Sequence, residues 1–368
     1  MEQITIRQIS AAMGYSAATV SLALRGHPRI SKATRDAIQA KADEMGYRPN
    51  PVMAAHWTAV RMRQPSKFQS VIALLNDWDN PQKWRTSLYL KPFTEAFERR
   101  AESLGYLVEE FALVDNKPLS RRALSARLES ISKVFRARGI GAFAVFSSSH
   151  PELIWQAAPH FSSQTCVFIG NEYIHCDLSI PGLRHIPYHR VSSAGYSNMI
   201  LLLDELRALG YKRPGYWPNR WSELGAGGEP AAAFNFYLQS LPEKDRLLVQ
   251  WPDWNVAAEL SELKFRFLEW LEQARPDVVI CGNLEVHAWI ESTARKIPRD
   301  IGLAHIDLSA YEQAWSGIYQ RHDRLAAAAV DLLTSQLNRN ERGVPEFTKE
   351  IRIEGEWVAG GTTRLQQQ

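Results

Sequence analysis

The chain has 368 residues, 45% hydrophobic and 23% charged, a composition that excludes a disordered or fibrous chain and suits two or three folded units. Its formal charge of +3 hides an asymmetry: residues 1–67 hold ten Lys/Arg against four Asp/Glu, and the remainder holds 33 against 36. A basic head on a slightly acidic body points to a polyanion partner for the head alone.

In the head, Thr5 and Gln8 have capping-box spacing, so hydroxyl and amide each satisfy a free backbone N–H at a helix start. Ile6, Ile9 and Met13 then fall on one face, and Gly14 stops the helix. Ser16 caps a second helix running to Leu24, ended by Arg25 and Gly26. Ser31 caps a third, in which Ile38, Ala42 and Met45 recur at helical spacing before Gly46. Helix, glycine turn, second helix is the helix-turn-helix pattern. Its second helix enters the DNA major groove, with its first residues against base edges.

The residues at that leading edge are small. Ser16, Thr19 and Ser21 can bond to phosphates, and Ala17 and Ala18 offer methyl groups to thymine methyls. After the head, Asn50 and Pro51 suit the cap and first position of a short helix through Val60. Such a helix is marginal alone and gains stability from contact with DNA or with its own copy.

The stretch from "ITIRQIS" through "TVS" (19–21) and "ISKATRDAI" to "GYRPNP" resembles the N-terminal region of the lactose-repressor (LacI) family of bacterial transcription regulators. The resemblance implies a homodimer on near-palindromic double-stranded operator DNA, with the second helix in the major groove and a hinge helix in the minor groove. The DNA-facing set it implies is Thr5, Ser16, Ala17, Ala18, Thr19, Ser21, Leu22, Arg25 and Arg29 in the head, and Asn50, Met53, His56 and Trp57 in the hinge. Two departures stand out. Leu22 replaces the family's Arg after "TVS", and Arg25 replaces a usual Asn. His56 occupies the register of the Leu that the family wedges between base pairs, which leaves Trp57 or Met53 for that role, or a hinge that bends DNA less.

Beyond Lys67 the pattern changes. Strands are expected at 70–76, 107–113, 141–146 and 165–170, alternating with helices from Phe93 to Leu104 and Ser125 to Arg138. The alternation resumes with a helix from Ala194 to Leu209, a strand at 213–217, a helix from Ala257 to Gln273, strands at 276–283 and 302–308, and a helix from Ala326 to Leu337. Strands alternating with helices at this spacing make parallel sheets with crossover helices, here in two lobes. "GAGG" (225–228) joins no strand directly to a helix and reads as a mobile loop.

This body resembles the periplasmic-binding-protein-like effector domain of the same family, in "RARGIGAFAVF", "ELRALGYKRPGYW", "PDVVICGN", "IPRDIGLAHIDL" and "SGIYQRHDRLAAAAVDLL". The organisation is therefore an all-α helix-turn-helix domain (1–49), a hinge helix and linker (50–67), and a two-lobed α/β effector-binding and dimerisation domain with parallel sheets (68–368). Such domains hold a small molecule, often a sugar, between the lobes. The expected site lies at strand carboxyl ends: Asn76, Trp78, Ser147, His189, Trp217, Trp221, Asn283, Asp307 and Gln320. Leu284 stands where the family often has Asp, and "WSELGAGGEPAAAF" replaces a segment that would carry a sugar-binding Arg.

Other classes are disfavoured. No G-x-S-x-G elbow, phosphate loop or strand-following GxGxxG appears, so an enzyme is not expected. Cys166, Cys176 and Cys281 form no CxxC pair, so no metal or cofactor is expected. The start carries no secretory pattern and no apolar run spans a membrane. A cytoplasmic, nucleoid-associated protein follows, and a transporter's solute-binding protein is the disfavoured alternative.

Overall fold

The computed structural model describes residues 4–24, 30–47, 70–76, 90–113, 120–146, 158–170, 188–219, 223, 226–249, 260–308 and 314–366. The head has helices α1 (Ile6–Met13), α2 (Ala17–Leu24) and α3 (Lys32–Glu44). Each start carries the cap that its sequence offers. Thr5 makes the full capping box with Gln8, Ser16 accepts from the Thr19 N–H at 3.0 Å, and Ser31 accepts from the Thr34 N–H at 3.2 Å. Ile9, Val20, Ala23, Ile38 and Ala42 meet in a small core between the three helices.

The body begins with β1 (Ser70–Asn76), α4 (Leu90–Ser103), β2 (Tyr106–Ala112), α5 (Arg121–Arg138), β3 (Ala142–Phe146), β4 (Thr165–Ile169) and β5 (His189–Ser193). These strands form a parallel sheet in the order β10-β5-β4-β3-β1-β2. The chain then crosses into a second lobe of α6 (Gly195–Ala208), β6 (Pro214–Trp217), α7 (Glu229–Leu238), α8 (Leu260–Ala274), β7 (Val278–Cys281), α9 (Glu285–Glu291), β8 (Gly302–His305) and β9 (Ser316–Tyr319). It returns to the first lobe through α10 (His322–Arg339) and β10 (Glu350–Ile353), and ends on β11 (Glu356–Val358). The second sheet runs β11-β9-β8-β7-β6, parallel except for β11.

Each sheet is buried on both faces, as parallel sheets are. In the first lobe, Ile72 and Leu74 point to α4 and α10, and Ala73 and Leu75 to α5. In the second, Val278 and Ile280 face α6 and α7, and Val279 and Cys281 face α8 and α9. Several elements differ from the sequence expectation, among them α5, which starts at Arg121 where Ser125 was expected. Residues 226–228 form a turn with Gly227 and Gly228 at positive φ leading into α7, where a mobile loop was expected. α10 starts at His322, one turn before the expected Ala326.

Candidate functional site

The head presents one face of α2 outward. Val20 and Ala23 are buried, so Ala17 and Ala18 are exposed and Ser21 and Leu22 half-buried. Gly14, at φ 70, makes the turn that sets α1 against α2; a Cβ at that φ is strained. Ser16 and Thr19 share one hydrogen bond between their hydroxyls at 2.8 Å. Two hydroxyls carry two protons and the shared bond uses one, so the other is free to donate to a phosphate. Thr5 is exposed, with its hydroxyl bonded to Gln8 at 2.9 Å. Arg25, Arg29, Asn50, Met53, His56 and Trp57 lie outside the described residues, as does the expected hinge helix.

In the body, the carboxyl ends of both sheets carry polar groups. Asn76 ends β1 and is 1% exposed, and neither its Oδ1 nor its Nδ2 has a hydrogen-bond partner. Past β7, Asn283 has a buried Oδ1 without a partner. Each such buried group costs roughly 1–3 kcal/mol when left unpaired. Asp307, past β8, faces the His322 ring at 3.2 Å. Gln320, past β9, donates from Nε2 to the Ile306 carbonyl at 2.9 Å. These four stand at the strand ends where the sequence put them. Trp78, Ser147 and Trp221 lie outside the described residues.

Two expected residues do not offer a side chain at this edge. His189 begins β5, so it lies at the amino end of the sheet, and the carboxyl end is Ser193. It is 2% exposed, and its Nδ1 accepts from the Lys349 N–H at 3.0 Å. Trp217 does end β6, but its ring packs into the core edge-on to Phe267 at 5.2 Å and against Trp270 at 5.4 Å. With both neighbours taken it has no face for a sugar ring. The strand-end rule counted direction correctly for β6 and missed that an alternating strand sends its last side chain to either sheet face.

Sequence reasoning also passed over two buried ionisable groups. His305 precedes Asp307 by two residues, and its Nδ1 accepts from the Asp307 N–H at 3.1 Å. Burial lowers its pKa to about 4, against the pull of Asp307, so it stays neutral and orients that loop. Glu223, in the segment that departs from the family, is 1% exposed and bonds to the Tyr216 hydroxyl. Burial pushes its pKa up, opposed by the Tyr216 bond. The H-x-D spacing of "AHIDL" and the lone acid of "WSELGAGG" were the available signals.

Residues 5–50 match the family model described as bacterial regulatory proteins, lacI family. The head is thus similar to that family's domain over those residues. No curated protein matches the chain. Solved structures do. The Lac repressor dimer bound to operator and the anti-inducer ONPF is similar at 16% identity and TM-score 0.58, over 99% of this chain and 100% of that one. The transcriptional regulator CelR–cellobiose complex is similar at 15% and 0.56, over 98% and 100%. CcpA of Lactococcus lactis is similar at 14% and 0.55, over 81% and 100%. At these identities the likeness is one of fold: a lacI-family helix-turn-helix head followed by a Lac-repressor-like α/β body with parallel-sheet cores. Among the described residues no helix is long and apolar enough to cross a membrane, and no group of His, Cys, Asp or Glu could hold a metal.

Proposed function

We propose that the chain is a sequence-specific DNA-binding transcriptional regulator, a repressor, whose hold on operator DNA is set by a small molecule bound between its two α/β lobes. The observation that carries this reading is the joining of a lacI-family head to a two-lobed body whose sheet ends hold unpartnered buried amides. α2 lies in the major groove, with Ala17 and Ala18 on bases and Ser16 or Thr19 on phosphate. Residues 50–60 order in the minor groove. A homodimer aligns two heads on a near-palindrome.

The effector is a sugar or sugar derivative. Asn76 on one lobe and Asn283, Asp307 and Gln320 on the other supply the amides and carboxylate that hydroxyls need. Binding changes the angle between lobes, and through it the ordering of the hinge. Effector and DNA affinities are then linked reciprocally. The protein works in the cytoplasm, on the nucleoid, and catalyses no reaction. The test selects genomic fragments with the purified full chain at stated salt and then titrates a panel of neutral mono- and disaccharides against the winning fragment. A recovered near-palindrome whose affinity one sugar changes supports the reading. Fragments without common sequence contradict the DNA-reading part, and a panel without effect contradicts the sugar.

A further inference from the structure

Three crossovers join the lobes, at residues 193–195, 319–322 and 353–356. They are tied to one another at several points. Asn198 of α6 donates to Ser193 Oγ at 3.0 Å and accepts from the Gly355 N–H at 2.8 Å, linking the first and third crossovers. Arg321 pairs with Glu356, linking the second and third. The Tyr319 hydroxyl donates to Asp323 at 3.2 Å across the second. These contacts lie at or beside the crossovers.

The Asp307–His322 contact, like the Arg352–Glu229 pair, ties the body of one lobe to that of the other. Asp307 follows β8 and belongs to the second lobe, held there by its own N–H on His305. His322 is the first residue of α10, which buries Leu325, Ala326, Ala329, Val330 and Leu333 against the first lobe's sheet and α4. The carboxylate therefore moves with one lobe and the ring with the other. Their atoms approach to 3.2 and 3.4 Å with both side chains under one-fifth exposed, where a charge-assisted bond is stronger than on the open surface. Arg321, the residue before His322, sits at φ 55, a conformation a non-glycine residue holds only where its surroundings impose it.

We propose that His322 is a positioning residue that carries the state of the cleft into the first lobe. Without ligand, His322 holds Asp307 and fixes the lobe angle. A ligand hydroxyl that takes Asp307's oxygens replaces this contact and releases α10 to turn. The ligand step rests on the function proposed above; the lobe-holding step does not.

The test uses the full chain with Cys176 replaced by serine and nitroxide labels at Glu102→Cys on the first lobe and Gln239→Cys on the second, read by pulsed electron spin resonance without DNA or sugar. His322→Ala and Asp307→Asn should move the interlobe distance to the same new mean, and the double variant should add nothing. His322→Gln, whose amide still donates to the carboxylate, should keep the parent distribution. The same series on the selected fragment should show operator affinity changed several-fold by His322→Ala and held within about twofold by His322→Gln. An unchanged distance in His322→Ala and Asp307→Asn overturns the proposal, as do additive shifts or an equal shift in His322→Gln. A parent that binds no fragment contradicts the regulatory reading, while the distances still decide this one.

Discussion

Glu223 and His305 are buried ionisable groups whose environments act in opposite directions on stability. Burial raises the Glu223 pKa above its ordinary value of 4.5. The stability gained from its neutral form is complete below that value and is lost as pH rises through the raised one. Glu223→Gln keeps the shape and stays neutral. Its urea-unfolding stability should fall less than the parent's as pH rises above 4.5; equal falls would mean that Glu223 is not the titrating group. His305 is the reverse case, with its pKa lowered from 6.5 to about 4. Its contribution is present above 6.5 and lost as pH falls toward 4. His305→Asn keeps an acceptor for the Asp307 N–H and should flatten the acid limb of the same curve. On the DNA side, Ala17→Gln or Ala18→Gln should change the base preferred opposite α2 without abolishing nonspecific binding, since phosphate contacts are untouched. An unchanged preference in a selection would remove these residues from the base-reading set.

At the scale of elements, the head was legible because its signals are local. Thr5, Ser16 and Ser31 cap helices a few residues away, and Gly14 makes its turn alone. Gly14→Val should cost the head roughly 1 kcal/mol or more, measured as a lower melting temperature of the head transition and weaker DNA binding; an unaltered transition would show that the turn tolerates a side chain. The most apolar body strands were legible for the same reason: "VIALL" in β1 and "CVFI" in β4 are unbroken apolar runs. The strands at 189–193, 316–319, 350–353 and 356–358 were not. They are three to five residues long, and partners far along the chain define them, as when Glu350 pairs beside Arg190. β9 shows what such pairing demands. A Cβ on Gly317 would strike the His305 backbone across the β8–β9 pair. Gly317→Ala should therefore destabilise the second lobe by roughly 1–3 kcal/mol, seen in urea unfolding. A wild-type midpoint would mean that β9 can move aside freely.

For the whole molecule, the candidate site was partly visible because α/β sheets place ligands at strand carboxyl ends, which picked out Asn76, Asn283, Asp307 and Gln320. The same rule misplaced His189, because the sequence "YHRVSS" does not say which end of β5 it occupies. It also chose Trp217, because nothing local shows Phe267 and Trp270 closing on both of its sides. His322 was invisible for a related reason: its meaning comes from belonging to one lobe while touching the other, a property of the folded chain. The lobes matter to the head only through linkage. If effector and operator are coupled, the operator must change effector affinity by the factor by which effector changes operator affinity.

The most direct measurement of the central claim is the selection of genomic fragments by the purified full chain, repeated with Ala18→Gln. The account predicts a near-palindrome with two half-sites about one helical turn or a multiple apart, and a substituted base within each half-site for the variant. Fragments sharing no sequence, with binding that depends on salt alone, would contradict it.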